Sequence, residues 1–302
     1  NQKIPVNPSL IDYVFVTHAH IDHSGLLPLL YKNGFRGEIF ATKATTELCQ
    51  IMLKDSAHIQ EFEAEWRNRK AKRAGLPEIT PMYDLNDAAG VMEYFNQCDY
   101  DHKISVCEGL EVRFVDAGHL LGSSSIEMWI TENEETRKLV FSGDLGNGNR
   151  PIIKDCEYID DADYVIMEST YGNRNHEAPP DYAVELAKLL NATIKKGGNL
   201  VIPAFSVGRT QEMLYFLRRI KSENLLPEFP DFEVYVDSPL SVEATSIFNK
   251  NVADCFNDDA RVLIEQGINP IRFEGLKVSV TSDDSKMINY DPKPKVIISA
   301  SG

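Results

Sequence analysis

The sequence predicts an α/β protein made of two parts, and three features of the chain carry this prediction. Of its 302 residues, 43% are hydrophobic and 25% are charged, which is typical of a globular protein with a substantial core. Up to about residue 175, the pattern is rich in strands with helices between them. After that point strands and helices alternate, as they do in a parallel, doubly wound sheet. We therefore expect one domain over residues 1–175 and a second over residues 176–302.

The strands of the first part are predicted from short β-branched and aromatic runs with polar boundaries. These runs are Tyr13–Thr17, Gly37–Ala41, Leu110–Val115, Ser125–Thr131, Leu139–Ser142 and Tyr164–Glu168. Apolar residues at helical spacing predict a helix near residues 26–30 and further helices at Thr45–Met52, Ala57–Ala74 and Val91–Phe95.

The second part contains strand and helix patterns in turn. Strands are predicted at Leu200–Pro203, Glu233–Val236 and Val296–Ser299, and helices at Tyr182–Lys195, Gln211–Arg219 and Val242–Asn249. Parallel strands need a crossover connection, which is usually a helix. This alternation therefore favours a parallel sheet.

Composition narrows the classes of function. Asp and Glu outnumber Lys and Arg by 46 to 31, and the net charge of -15 argues against a surface that coats nucleic acid without specificity. No apolar run approaches the ~20 residues that span a bilayer, so we expect no membrane partner. The five cysteines are widely spaced and contain no C-x-x-C pair. They predict free thiols in a reducing cytoplasm.

A cluster of histidines follows the first predicted strand and indicates a metal site. His18, His20 and His23 fall within six positions, and Asp22 lies between the last two. Imidazole and carboxylate ligands suit a borderline metal such as Zn²⁺. The alternative is a histidine-rich helix start with Asp22 as its cap, but capping needs one polar residue and not four.

Two further candidate ligands occupy similar positions at strand ends. His119 stands in a glycine-containing turn between two predicted strands, and Asp144 follows an apolar strand in the segment FSGDLG. Their neighbouring glycines permit close approach of the backbone to a buried site. Each residue alone is a weak signal, whereas together with the first cluster they make one His/Asp site plausible.

The motifs resemble those of a known family. THAHIDHSG, AGHLLGSSS and FSGDLG resemble the three central metal motifs of the metallo-β-lactamase fold. VIMESTYGNRNH, VIPAFSVGRTQEMLY, YVDSPLSVEAT and VIISASG are similar to segments of its β-CASP branch, the RNA- and DNA-processing nucleases. The resemblance covers nearly the whole chain. It implies an αββα metallo-β-lactamase sandwich with an inserted parallel α/β domain, both incomplete at the chain ends.

The same resemblance implies a site with two zinc ions. His18, His20 and His119 would hold one ion, Asp22 and His23 the second, and Asp144 would bridge them. Asp22 is also expected to be essential for cleavage. Glu168 matches the acidic residue of the first β-CASP motif and would act beside the metals. Its alternative role is that of a strand-end carboxylate that caps the next turn.

The chain departs from the family pattern at its end. The family has two more histidine motifs beyond the SASG segment, one for a last zinc ligand and one for a general acid. Here the last histidine is His176, and the chain stops straight after the apolar run Val296–Ser299. We therefore expect an excerpt of a longer protein, with one well-held metal site and a second, weaker one.

The resemblance implies a ribonuclease that hydrolyses single-stranded RNA with water activated by two metals, and endonucleolytic cleavage is favoured. Ser206 and Arg209 are candidate substrate-binding residues, because their small-residue loop leads into a helix N-terminus that offers N–H groups to an anion. Ser299, Ser301 and Gly302 lie at another such strand end. The basic segment Arg67–Arg73 either neutralises RNA phosphates or is the solvated face of a helix.

Other functions remain open at this stage. A small-molecule ester or amide hydrolase of the same superfamily would use the same ligands, and a DNA nuclease would use the same metals. A non-catalytic RNA-binding subunit is the third alternative, although all six visible ligand positions are intact. The protein could also form a homodimer.

Overall fold

Three β-sheets organise the part of the chain that the computed structural model describes, which is residues 4–175 and 178–300. The chain divides into two units. The first comprises Asn1–Gly148 and Asp155–Glu168, and the second comprises Asn149–Lys154 and Ser169–Gly302. The sequence-based boundary near residue 175 stays a prediction.

The first unit begins with a parallel sheet of three strands. The strands β1 (Tyr13–Phe15), β2 (Glu38–Thr42) and β3 (Phe95–Cys98) lie in that order. The helices between them are α1 (Ile21–Ser24), α2 (Leu27–Lys32), α3 (Lys43–Ala74) and α4 (Leu85–Val91). Strand β2 is buried on both faces, since Phe40 and its neighbours Ile39 and Ala41 are all buried.

A second, five-stranded sheet completes the first unit. Its strands, in spatial order, are β4 (Ile104–Cys107), β5 (Leu110–Asp116), β6 (Ser124–Glu132), β7 (Glu135–Phe141) and β8 (Tyr164–Ile166). Neighbours are antiparallel except β7 and β8, which are parallel. The core between the two sheets contains Phe40, Cys98, Val112, Phe114 and Ile126. This packing of one sheet on the other agrees with the predicted sandwich.

Helix α3 corrects one sequence-based expectation. We expected two helices at Thr45–Met52 and Ala57–Ala74, but a single helix runs from Lys43 to Ala74. The intervening residues contain no glycine or proline that would stop it. The Thr42 side chain caps the start by accepting from the Thr45 N–H, and Gly75 ends the helix with a φ of 68°.

The helix expected at Val91–Phe95 is also wrong in its boundaries. Helix α4 ends at Val91, a short 3₁₀ helix covers Met92–Tyr94, and Phe95 already belongs to β3. The signal for the true helix start is the capping box of Asp84 and Asp87. Pairing of Phe95 with Ile39 overrides the local helical pattern, because strand pairing depends on distant residues.

The second unit contains a fully parallel sheet, as expected. Its strands are β9 (Leu200–Pro203), β10 (Glu233–Asp237), β11 (Leu276–Ser279) and β12 (Lys295–Ser299), in the spatial order β11-β10-β12-β9. The helices are α5 (Tyr182–Lys195), α6 (Arg209–Ser222), α7 (Pro239–Lys250), α8 (Val252–Cys255), α9 (Asp258–Glu265) and α10 (Ser282–Tyr290). Pro203, Asp237 and Ser299 are in register, so the loops that follow β9, β10 and β12 leave from the same edge.

Among the helices in residues 4–175 and 178–300, none combines the length and the apolar character that crossing a bilayer requires.

Candidate metal centre

The candidate metal centre lies where strands of the first unit end. His18 and His20 occupy the turn after β1, and Asp22 and His23 lie within the short helix α1. His119 is in the loop between β5 and β6, and Asp144 follows β7. Residues that are up to 126 positions apart in the sequence are thus brought together by the ends of three strands.

Four of these side chains converge on one point. Ligand atoms of His18, His20, His119 and Asp144 all lie within 4.8 Å of one another. The Nε2 atom of His119 is 3.2 Å from Nδ1 of His20. The Oδ2 atom of Asp144 is 3.6 Å from Nε2 of His119 and 3.8 Å from Nε2 of His18.

His18 has the properties of a buried ligand. Its Nδ1 atom is 3.1 Å from the Thr17 hydroxyl, whereas its buried Nε2 atom has no hydrogen-bond partner among the described residues. Burial, and then the imidazoles of His23, His20 and His119, lower the pKa of His18 to about 2. A neutral imidazole with an unpaired nitrogen aimed at a carboxylate and two other imidazoles fits a metal cation.

A second set of donors lies on the other side of Asp144. Its Oδ1 atom is 3.3 Å from Nε2 of His23, and the same nitrogen is 3.6 Å from Oδ2 of Asp22. Asp144 therefore directs one oxygen toward each set. The His18 side chain is 1% exposed, whereas those of His23 and Asp22 are 33% and 75% exposed. The second set is the more open of the two.

The loop that presents His119 is held by hydrogen bonds within the first unit. The hydroxyl of Ser123 accepts from the His119 N–H at 3.0 Å. The hydroxyls of Thr42 and Thr45 donate to the Gly122 carbonyl at 2.6 and 2.7 Å. Gly122 has a φ of 80°, a conformation that favours glycine. The N-terminus of α3 is thus fastened to the loop that carries a candidate ligand.

Glu168 supports the loop that presents Asp144. Its Oε1 atom accepts from the Leu145 N–H at 2.8 Å, and its own N–H donates to the Ser142 hydroxyl at 3.1 Å. Gly143, with a φ of 56°, turns the chain between these two contacts. Glu168 therefore contacts the chain on both sides of Asp144, at the Ser142 hydroxyl and at the Leu145 N–H.

The candidate substrate residues Ser206 and Arg209 belong to the second unit. The Ser206 hydroxyl is 3.3 Å from that of Ser238, and Arg209 opens helix α6. Arg209 forms an ion pair with Glu212 at 2.5 Å, and Arg150 lies 3.4 Å from the same carboxylate. The sequence offered no signal for this Arg–Glu–Arg group, because Arg150 is distant in sequence and has no motif. His176, Ser301 and Gly302 lie outside the described residues.

The supporting residues of the metal centre were also missed from the sequence. Thr42 and Thr45 belong to no metal motif, although they hold the carbonyl of Gly122. Ser123 and Ser142 lie inside the quoted motifs AGHLLGSSS and FSGDLG, so a polar residue beside each candidate ligand was the available signal.

Comparison with known proteins places these motifs in a family context. The family model of the beta-lactamase superfamily domain matches residues 2–196, and that of the Beta-Casp domain matches residues 210–302. Both matches confirm the resemblance and the mixed α/β fold class.

Curated relatives match along nearly the whole chain. A protein named ribonuclease from Thermus thermophilus is 32% identical over 98% of the chain and 62% of its own length. Transcription termination factor FttA from Methanosarcina mazei is 31% identical over 100% of the chain and 44% of its length. An RNase J-like protein from Methanocaldococcus jannaschii is 29% identical over 99% of the chain and 63% of its length. The chain thus spans between 44% and 63% of the length of these relatives.

Proposed function

Because the chain belongs to the beta-lactamase superfamily and carries a Beta-Casp domain in its second part, we propose that it is a metal-dependent ribonuclease. Its reaction is the hydrolysis of phosphodiester bonds in single-stranded RNA, with endonucleolytic cleavage favoured. The observation that carries the proposal is the position of Asp144, with one carboxylate oxygen beside His18 and His119 and the other beside His23.

Two zinc ions are the proposed cofactors, because imidazole nitrogens and carboxylate oxygens are ligands that zinc accepts. His18, His20, His119 and Asp144 would hold the first ion, and Asp22, His23 and Asp144 the second. Zinc in such a pair neutralises phosphate charge and makes water available as a nucleophile near neutral pH. We propose that the first site is the tighter one, since its donors are less exposed.

The chain's own residues orient the reaction. His18 is held neutral by burial and so keeps a lone pair for coordination. Glu168 fixes the backbone around Asp144 and thereby the direction of both carboxylate oxygens. Asp22, the most exposed of the donors, would accept the proton that the attacking water releases.

RNA is the proposed substrate for two reasons. Two of the relatives are named as a ribonuclease and as an RNase J-like protein, and the chain matches a Beta-Casp domain that follows the metal motifs. In the second unit, Ser206 and Arg209 would bind a phosphate of the strand, with Arg209 shared between the phosphate and Glu212. We place the protein in the cytoplasm, because its five cysteines are free.

The proposal is tested with the protein as its gene encodes it, using internally labelled RNA and the matching single-stranded DNA. We expect cleavage of RNA that a chelator abolishes and that the Asp22→Ala and His18→Ala variants lack. His58→Ala is the matched control, since His58 is an exposed histidine of α3 outside the centre. Fragment lengths then separate endonucleolytic from exonucleolytic cleavage.

Metal analysis provides the second readout. Wild-type protein and the His58→Ala control should retain zinc after dialysis, whereas His18→Ala should lose it. Zinc binding without cleavage of either polymer would refute the nuclease and favour a small-molecule hydrolase or a binding subunit. Cleavage that persists in His18→Ala would refute the assigned centre.

A further inference from the structure

Helix α3 carries an exposed row of aromatic and basic side chains that plays no part in the metal centre. We propose that this row binds single-stranded RNA at a distance from the site of cleavage. The proposal rests on RNA as the substrate, which is the function proposed above. We call the row the α3 ridge and define it by five residues, Phe62, Trp66, Arg69, Lys70 and Arg73.

The ridge follows from the period of the helix. At about 100° per residue its five members fall within an arc of about 100°, so they share one face of α3. Ala57 and Ala64 are buried on the opposite face, which points the ridge away from the core. Phe62 is 60% exposed and Trp66 is 50% exposed.

The stability of helix α3 does not explain why the aromatic rings of Phe62 and Trp66 are exposed on its surface. Cations near the C-terminus of a helix stabilise it, and Glu63–Arg67 and Glu65–Arg69 pairs at i,i+4 spacing do the same. Trp66 also contacts Lys70 at i,i+4 spacing, but that contact involves only one of the two exposed rings and does not require a tryptophan that is 50% exposed. Large exposed aromatic side chains beside cations are instead typical of surfaces that stack nucleic-acid bases.

The geometry around Trp66 fits a nucleotide. The Lys70 ammonium lies 3.4 Å from the centroid of the Trp66 ring, a cation–π contact. Lys70 and Arg73 form no ion pair with any residue in 4–175 or 178–300. A base that stacks on Trp66 would displace the ammonium from the ring and leave it next to the phosphate of the same nucleotide.

Charge favours RNA over a protein partner at this surface. Residues 66–73 contain five cations and no acidic residue, although the chain as a whole carries a net charge of -15. A polyanion is attracted to this segment and repelled by the acidic remainder of the surface. This difference in charge between the α3 ridge and the rest of the surface favours binding of an RNA strand at the ridge.

The ridge is far enough from the metal centre to select for long strands. The start of α3 is fastened to the His119 loop through Gly122. At about 1.5 Å per residue, the ridge begins about 30 Å further along the helix and ends about 45 Å along it. A strand whose bases are stacked at about 3.4 Å per nucleotide, the spacing of a strand in a duplex, needs on the order of ten nucleotides to reach both places.

The test is equilibrium binding of a fluorescent, unstructured RNA of thirty nucleotides to the full chain, measured by anisotropy between 50 and 200 mM salt. The charge variant is Arg69→Gln/Lys70→Gln/Arg73→Gln. We expect the slope of log K against log[salt] to fall by about 2, at roughly 0.7 for each lost phosphate contact. The control removes three exposed lysines of the second unit, Lys188, Lys196 and Lys286, and should leave the slope unchanged.

Two single variants test the aromatic part. Trp66→Ala should weaken binding about 5- to 150-fold, and Trp66→Phe should restore most of the loss, because a ring that can stack is kept. Equal binding by the wild-type chain, the charge variant and Trp66→Ala would overturn the proposal, as would a wild-type chain that binds no RNA at 50 mM salt. A change of oligomeric mass in Trp66→Ala with unchanged RNA binding would identify a protein contact instead.

Cleavage assays keep this inference separate from the proposed function. Ridge variants should cut a thirty-nucleotide RNA more slowly at limiting substrate and a six-nucleotide RNA at the wild-type rate. If RNA is cut and the ridge variants behave as wild type on both lengths, the ridge proposal fails and the nuclease stands. If ridge-dependent binding is found without cleavage, the nuclease fails and the binding surface stands.

Discussion

Replacement of Glu168 by alanine should weaken the first metal site through the backbone. The carboxylate accepts a hydrogen bond from the Leu145 N–H at 2.8 Å, directly beside Asp144. A hydrogen bond to a charged acceptor contributes about 1.5–3 kcal/mol. If that free energy fixes the direction of the Asp144 carboxylate, its loss corresponds to about a 10- to 100-fold lower metal affinity.

The assay is a competition titration of zinc between the protein and a chromophoric chelator. Glu168→Gln is the informative partner variant, because the amide oxygen can still accept from Leu145. We expect Glu168→Gln to bind zinc within a few-fold of wild type and Glu168→Ala to fall by the larger factor. Glu132→Ala, which removes an exposed carboxylate at the end of β6, is the control.

Two results would refute this reasoning. If glutamine is as harmful as alanine, the charge or the proton of Glu168 matters, and the residue acts on the metal or the substrate directly. If alanine leaves the zinc affinity unchanged, the loop around Asp144 is held by other contacts.

Three further changes test other parts of the structure. Lys295→Met should lower the free energy of unfolding in urea by about 2–4 kcal/mol. The buried ammonium of Lys295 donates to the Asp291 and Ile288 carbonyls and pairs with the Asp291 carboxylate. An unchanged urea concentration at the midpoint of unfolding would contradict this prediction. Thr45→Val should cost about 0.5–1.5 kcal/mol in the same assay, because the Gly122 carbonyl loses one of two donors and still accepts from Thr42. Thr136→Val on an exposed strand end should cost little. In the metal-free protein the pKa of His18 is lowered to about 2 against about 6.5 in the unfolded chain, so the unfolded state binds the extra proton between these values. The free energy of unfolding should therefore fall by about 1.4 kcal/mol for each pH unit below about 6.5, and urea titrations of His18→Gln should lack this component.

The candidate ligands could be predicted because their signal is local. Three histidines and an aspartate within six positions, followed by His119 and Asp144 in glycine-containing turns, identify a metal motif without any knowledge of contacts. Strands such as Leu200–Pro203 could also be predicted from the sequence, since their apolar runs end at clear boundaries. The ligand roles of these residues stay a prediction until metal is measured.

The missed features depend on residues that are far apart. Thr45 donates to a carbonyl 77 positions away, and nothing near Thr45 marks it as a support of the metal centre. The helix predicted at Val91–Phe95 includes the first residue of β3, because the pairing of β3 with β2 leaves no signal in the local pattern. The sequence predicts two helices where α3 is one, although residues 53–56 contain no glycine or proline that would break the backbone.

Where cations occupy both sets of donors as proposed, the shared carboxylate of Asp144 would make the binding of one ion depend on the binding of the other. Its oxygens are parts of one planar group, so a cation that fixes Oδ2 also fixes Oδ1. Ordering that has already occurred for the first ion need not occur again for the second. If the first ion raises the affinity for the second by some factor, the second raises the affinity for the first by the same factor, because the coupling free energy between two binding sites is reciprocal. Under the proposed assignment, the less exposed set with His18 is the tighter site and would fill first.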